Sequence, residues 1–137
     1  MKARDLLEQV RYLDDEVAQL RELRASVFDD LTRTTARLSM DGVRGGGDPH
    51  RLDAAAALAG DVDAKLRELA AAKRAALGVI NRLDDSRQRA VLLAYYVNCR
   101  RGGMRKGWED VAMELGYSIR RVHDLRTQAL EAVESLH

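Results

Sequence analysis

Cysteine, proline, aromatic residues and an excess charge of either sign are all scarce in this 137-residue chain. Cys99 stands alone, which excludes an intramolecular disulfide and a Cys-x-x-Cys metal pair and points to a reducing compartment. One proline and six aromatics leave little material for a β-rich core and fit an all-helical protein. The 23 Lys and Arg residues are matched by 22 Asp and Glu, so no global field draws the protein to a polyanion. From Asp84 onward there are nine basic and eight acidic residues, so any affinity for nucleic acid has to come from local arrangement. Such an arrangement exists, because Arg100, Arg101, Arg105 and Lys106 follow one another with no acid between them. No apolar run is long enough to span a membrane, and the opening Met-Lys-Ala-Arg-Asp-Leu-Leu-Glu lacks an apolar signal core, so a soluble cytoplasmic protein is expected.

What is present is helical periodicity. Leu6, Val10, Leu13, Val17, Leu20, Arg24, Val27, Leu31, Thr34 and Leu38 alternate by four and three, the a/d seam of a coiled coil. A helix of roughly 35 residues would be about 50 Å long and must bury its stripe against a partner. Arg24 interrupts the seam, and its long stem favours a local exit to solvent. The run from Met40 to Pro49 holds three consecutive glycines and predicts a loop over 41–48, with Asp48 as N-cap and Pro49 at the first position of the next helix. The loop lacks the Gly-Lys-Ser/Thr ending of a nucleotide-binding loop.

A second seam follows through Leu52, Ala55, Ala59, Val62, Leu66, Leu69, Lys73, Ala76, Ile80 and Leu83, with Gly60 and Gly78 each costing about 1 kcal/mol relative to alanine. Two helices of similar length joined by a short loop predict an antiparallel hairpin over 1–83. Its uncovered apolar side predicts dimerisation into a four-helix bundle or a longer coiled coil. Asp84-Asp85-Ser86 reads as hinge and cap of a third helix, whose face Val91, Leu92, Tyr95 and Tyr96 would support what comes next. Asn98 to Gly107 reads as a basic, glycine-containing loop suited to a phosphate backbone.

The most informative stretch runs from Gly107 to Leu136. Trp108, Val111, Ala112 and Leu115 fall at i, i+3, i+4 and i+7, one face of a short helix that Gly116 ends. Ser118 is placed to cap a longer helix carrying Val122, Leu125, Ala129 and Leu130 at helical spacing, and also to donate to a DNA phosphate. Helix, tight turn, helix is the form in which a second helix enters the DNA major groove while the first braces it. Arg120, Arg121, His123, Asp124 and Thr127 would lie outward, and all can bond phosphates or base edges. Trp108 is expected in the core. His123 has no neighbours that complete a metal site, since His50 and His137 are far off in sequence.

Residues Trp108-Glu109-Asp110-Val111-Ala112, Leu115-Gly116-Tyr117-Ser118, Arg121-Val122, Leu125 and Ala129-Leu130 carry a resemblance. From Leu83 onward the chain resembles the fourth, promoter-reading region of bacterial sigma-70-type factors, Ser118 to Leu130 aligning without a gap to their recognition helix. As a whole it resembles the small phage-encoded RinA- and ArpU-like regulators of late transcription. The resemblance implies Ile119, Arg120, His123 and Asp124 as base-facing positions, Arg121 nearer the backbone, and Arg87 and Arg89 as weaker phosphate contacts. Arg120 could pair with guanine and Asp124 accept from cytosine. This sequence departs from the sigma pattern at most of these positions, so the −35 hexamer is not implied as target.

The expectation is therefore an all-α protein: a coiled-coil hairpin over 1–83 for homodimerisation, and a sigma-70 region 4-like helix-turn-helix domain over 84–137. It would read double-stranded DNA as a phage or prophage transcription regulator in a bacterial host, with RNA polymerase as a further partner. Two other readings fit the same residues: a protein-interaction module built on the coiled coil, and a DNA-recognition subunit of phage packaging. Catalysis is not expected, because the chain holds no nucleophile elbow, no Cys/His constellation, no metal-binding carboxylate cluster and no Walker motif, and no cofactor is implied.

Overall fold

The computed structural model describes residues 2–40 and 49–136, with side chains described over 2–33 and 52–136. The expected loop over 41–48 with its Asp48 cap lies outside the described residues, as do the side chains of Thr34, Leu38 and His50, and His137. Five α-helices are present among the described residues: α1 (Ala3–Met40), α2 (Pro49–Ile80), α3 (Ser86–Leu92), α4 (Trp108–Leu115) and α5 (Ile119–Leu136). The fold is all-α apart from a two-stranded hairpin of β1 (Arg100–Arg101) and β2 (Met104–Arg105). No described helix is long and apolar enough to cross a membrane.

The chain forms two compact units, Met1–Asp15 with Glu68–His137, and Glu16–Arg67. The boundary therefore does not fall at Leu83/Asp84. The start of α1 and the end of α2 belong with the C-terminal helices, and long-range packing that no local pattern encodes is the reason.

The first unit has the larger core. Ala3, Leu7, Val10 and Leu13 of α1 are buried in it with Ala76, Ile80 and Leu83, and so are Val91, Leu92, Tyr96, Val122, Ala129 and Val133 from the later helices. Each fully buried aliphatic side chain of this kind contributes about 1.5–3 kcal/mol. Leu7 is fully buried whereas Leu6, the expected seam residue, is only half-buried. The stripe at the start of α1 is thus wider than a coiled-coil seam, because it meets a globular core instead of one partner helix. α2 ends earlier than its seam suggests: Arg82 and Leu83 donate to the carbonyls of Val79 and Ile80 at 3.2 and 3.0 Å, a tightened last turn.

In the second unit Val17 and Val62 are the buried hydrophobic side chains among the described residues. Lys65 Nζ pairs with Glu16 at 2.9 Å. Arg24 points into solvent, and Leu23, Phe28 and Leu52 are 51, 65 and 58% exposed.

Candidate nucleic-acid interface

α3 starts where the acids predict. Asp85 caps it by accepting the Arg87 amide at 2.8 Å, which holds its carboxyl below the ordinary range. The helix widens into a π-helical turn over Leu93–Val97, closed by Asn98 N–H donating to the Leu93 carbonyl at 2.8 Å. Tyr95 and Tyr96 sit on that turn. Tyr96 is fully buried and its phenol is pushed up to about 12, mainly by burial.

The stretch from Asn98 to Gly107, expected as a loop, is a β-hairpin. Arg100 faces Arg105 and Arg101 faces Met104 in antiparallel register, and Lys106 N–H donates to the Cys99 carbonyl at 2.8 Å. Gly102 and Gly103 take φ of 59° and 83° at the tip. Two successive positive φ angles match the right-handed twist of a two-residue hairpin, which the pair Gly-Gly allows and few other pairs would.

α4 opens at Gly107, whose N–H donates to Asp110 Oδ2 at 2.8 Å, so Asp110 is a cap and not loose solvating charge. Its last turn closes as a Schellman motif: Gly116 at φ 73° donates to the Met113 carbonyl at 3.4 Å and Tyr117 to the Ala112 carbonyl at 2.9 Å. Ser118 Oγ then accepts the Arg121 amide at 3.1 Å and α5 begins. Val111 and Ala112 meet Val122 and Leu125 in one cluster with Val91 and Ala94, flanked by Tyr95, Trp108, Leu115 and Tyr117. Trp108 lies flat on Tyr95, ring centroids 3.6 Å apart and planes 8° from parallel. The guanidinium of Arg126 lies over the indole at 4.8 Å.

With Val122, Leu125 and Ala129 turned inward, the opposite face of α5 carries Arg120, His123, Asp124 and Thr127, all exposed. Ile119 is 43% exposed at its first turn, and Arg121 extends over the Tyr117 ring at 5.1 Å. Ser118 spends an acceptor on its cap, and the Thr127 hydroxyl donates to the His123 carbonyl at 3.0 Å, leaving an acceptor outward. No family model, no curated protein and no solved structure matches this chain. The chemistry of the face therefore has to be judged on its own residues: two arginines, an imidazole and one carboxylate within three helical turns.

The basic cluster ahead of α4 departs from expectation. Lys106 is buried, its Nζ on Glu114 at 2.8 Å and near the Ala94 carbonyl at 3.4 Å, so it braces α4 internally and does not face a phosphate. Arg100 is held by Asp14 and, at 2.7 Å, by Asp15, and donates to the Gly103 carbonyl at 3.2 Å. Arg105 is 45% exposed in its side chain but pairs with Asp15 at 2.7 Å. Arg101 alone of the four is exposed with no partner among the described residues. The charge run was legible; the acidic partners of Arg100 and Arg105 lie at Asp14 and Asp15, far earlier in the chain, and that of Lys106 at Glu114 on α4. Of the two weaker candidates, Arg89 donates to the Leu83 carbonyl and Arg87 pairs with Asp85 at 3.5 Å.

Sequence reasoning passed over Arg11. It is 3% exposed, its Nη1 donating to the Tyr95 carbonyl at 2.7 Å and its Nη2 to the Lys106 carbonyl at 3.0 Å. Its guanidinium carbon lies 3.6 Å from the centroid of the Tyr95 ring. Trp108 already covers one side of that ring at the same separation, so sterics put Arg11 on the other. Arg11, Tyr95, Trp108 and Arg126 thus form a four-layer stack from α1 to α5. Burial lowers the Arg11 pKa, and the ring quadrupole and two carbonyls stabilise its charge. A charged residue between Val10 and Leu13 on an apolar stripe was the available signal.

Proposed function

We propose that the protein is a sequence-specific DNA-binding transcription regulator of phage or prophage origin, reading the major groove with α5 in the bacterial cytoplasm. The observation that carries this is the exposed row Arg120, His123, Asp124 and Thr127, on a helix whose entry is fixed by the Gly116 turn and the Ser118 cap. A rigid, amphipathic second helix with polar side chains leading is what groove entry requires. Arg120 offers a bidentate donor to guanine, Asp124 an acceptor for cytosine, and Ile119 an apolar contact for a thymine methyl. Arg101 at the hairpin tip and Arg121 supply phosphate contacts, and Arg105 does so only by sharing Asp15. The resemblance to sigma region 4 and to late phage regulators supports the same reading and adds RNA polymerase as a partner. The protein acts as a homodimer through its helical hairpin, as a binding protein without catalysis or cofactor.

Gel retardation with DNA flanking the gene, at low salt, tests it. Arg120→Ala should weaken the preferred site by about 10- to 100-fold and relax its base preference. Arg101→Ala should weaken all sites alike and lower the salt slope by about one. Absence of any retarded fragment would sink the proposal.

A further inference from the structure

One face of α1 in the second unit carries a self-complementary pattern. Arg21, Ala25 and Asp29 form one ridge at spacing four, and Arg24 and Phe28 form the next, all on the same side of the helix. Arg21, Arg24, Ala25 and Phe28 line an open concavity of about 550 Å³, and Phe28 is 65% exposed beside it. Arg21 and Asp29 are exposed, opposite in sign, and four residues to either side of the small Ala25.

We infer that this face binds a second copy of the chain, α1 antiparallel on α1, with a two-fold axis passing near Ala25. The charges choose the occupant and its direction. A two-fold at Ala25 sets each Arg21 against Asp29 of the second copy, so the ion pair forms twice. A parallel copy would set arginine on arginine and aspartate on aspartate, which is repulsive. Alanine at the crossing lets the two backbones approach closely, and ridges packed into grooves then carry each Phe28 into the other copy's concavity, between Arg21 and Arg24. There the ring gains cover, and the guanidinium groups lie over its π face. Arg24, out of place in a coiled-coil seam, becomes a wall of that socket. The inference rests on the reading above that the protein works as a dimer, and names the surface.

Sedimentation of the 137-residue chain over a concentration series decides it, with far-UV helicity confirming that each variant is folded. Wild type should be a dimer. Arg21→Glu and Asp29→Arg should each raise the dimer dissociation constant by at least tenfold, since each places like charges in contact twice. The double variant should return to within about threefold of wild type, because the pair is restored with its sign reversed. Phe28→Ser should give the largest loss, about 100-fold. A wild-type monomer at about 100 μM would overturn the inference, that being far weaker than a working dimer needs. Single variants indistinguishable from wild type would overturn it too, and so would a double variant no better than either single. Gel retardation by wild type is read separately: a dimer that binds no DNA removes the functional reading and leaves this surface, and a monomer that binds DNA does the reverse.

Discussion

Two stretches of α1 carry the same alternation of apolar residues and meet opposite fates. Over residues 3–14, Leu7, Val10, Arg11, Leu13 and Asp14 are all buried, built into one core with the C-terminal helices. Over residues 18–33 no described side chain is buried, and Leu23 and Phe28 are more than half exposed. Periodicity fixes which side of a helix is apolar, but what covers that side is decided by chain elsewhere. The first stretch is covered by its own C-terminus, and over the second none of the described side chains reaches full burial.

The largest expected effect tests that contrast directly. Leu7→Ala should cost about 3 kcal/mol of unfolding free energy, as a fully buried leucine with no room to collapse. Leu23→Ala, sixteen residues further along the helix, should stay within about 0.5 kcal/mol. Urea denaturation of both measures the difference, and equal losses would erase the distinction between the two stretches. Next comes Arg11→Met, which keeps the apolar stem but strands the carbonyls of Tyr95 and Lys106. The expected cost is about 2 kcal/mol. If that variant were as stable as wild type, α1 would not be pinned by its guanidinium.

The smallest effect concerns the cap of α3. The Asp85 carboxyl is held below its ordinary 3.8, chiefly by the backbone hydrogen bond from Arg87. A depressed folded pKa means the stabilisation is fully present above the unfolded value and is lost as pH falls through the folded one. Acid titration followed by NMR should therefore show the Arg87 amide shifting with a midpoint below 3.8 while the Val122 amide of α5 stays put. A midpoint at or above the ordinary value would remove the cap.

What was legible in the sequence was local. Gly116, Ser118 and the inward spacing of Val111, Ala112, Val122 and Leu125 specify the α4–α5 turn through contacts only a few residues apart. The exposed row on α5 follows from that spacing by subtraction. Lys106 and Arg100 were misassigned because a run of like charge announces its sign but not its counterions, and Glu114, Asp14 and Asp15 reach them only in the folded chain. The hairpin was hidden because strands of two residues are too short to show alternation, and only Gly102-Gly103 hinted at it. The Leu6-to-Leu7 slip has the same origin, since a heptad template assumes a rod for a neighbour.

The aromatic stack has a practical consequence. Trp108 is the one indole in the chain, pressed on Tyr95, capped by Arg126 and 6.2 Å from the His123 ring. Its fluorescence is thus a built-in gauge whose colour and brightness answer to undocking of the amino-terminal helix, whose Arg11 lies on the far side of the Tyr95 ring. No dye needs to be attached to watch that event in real time.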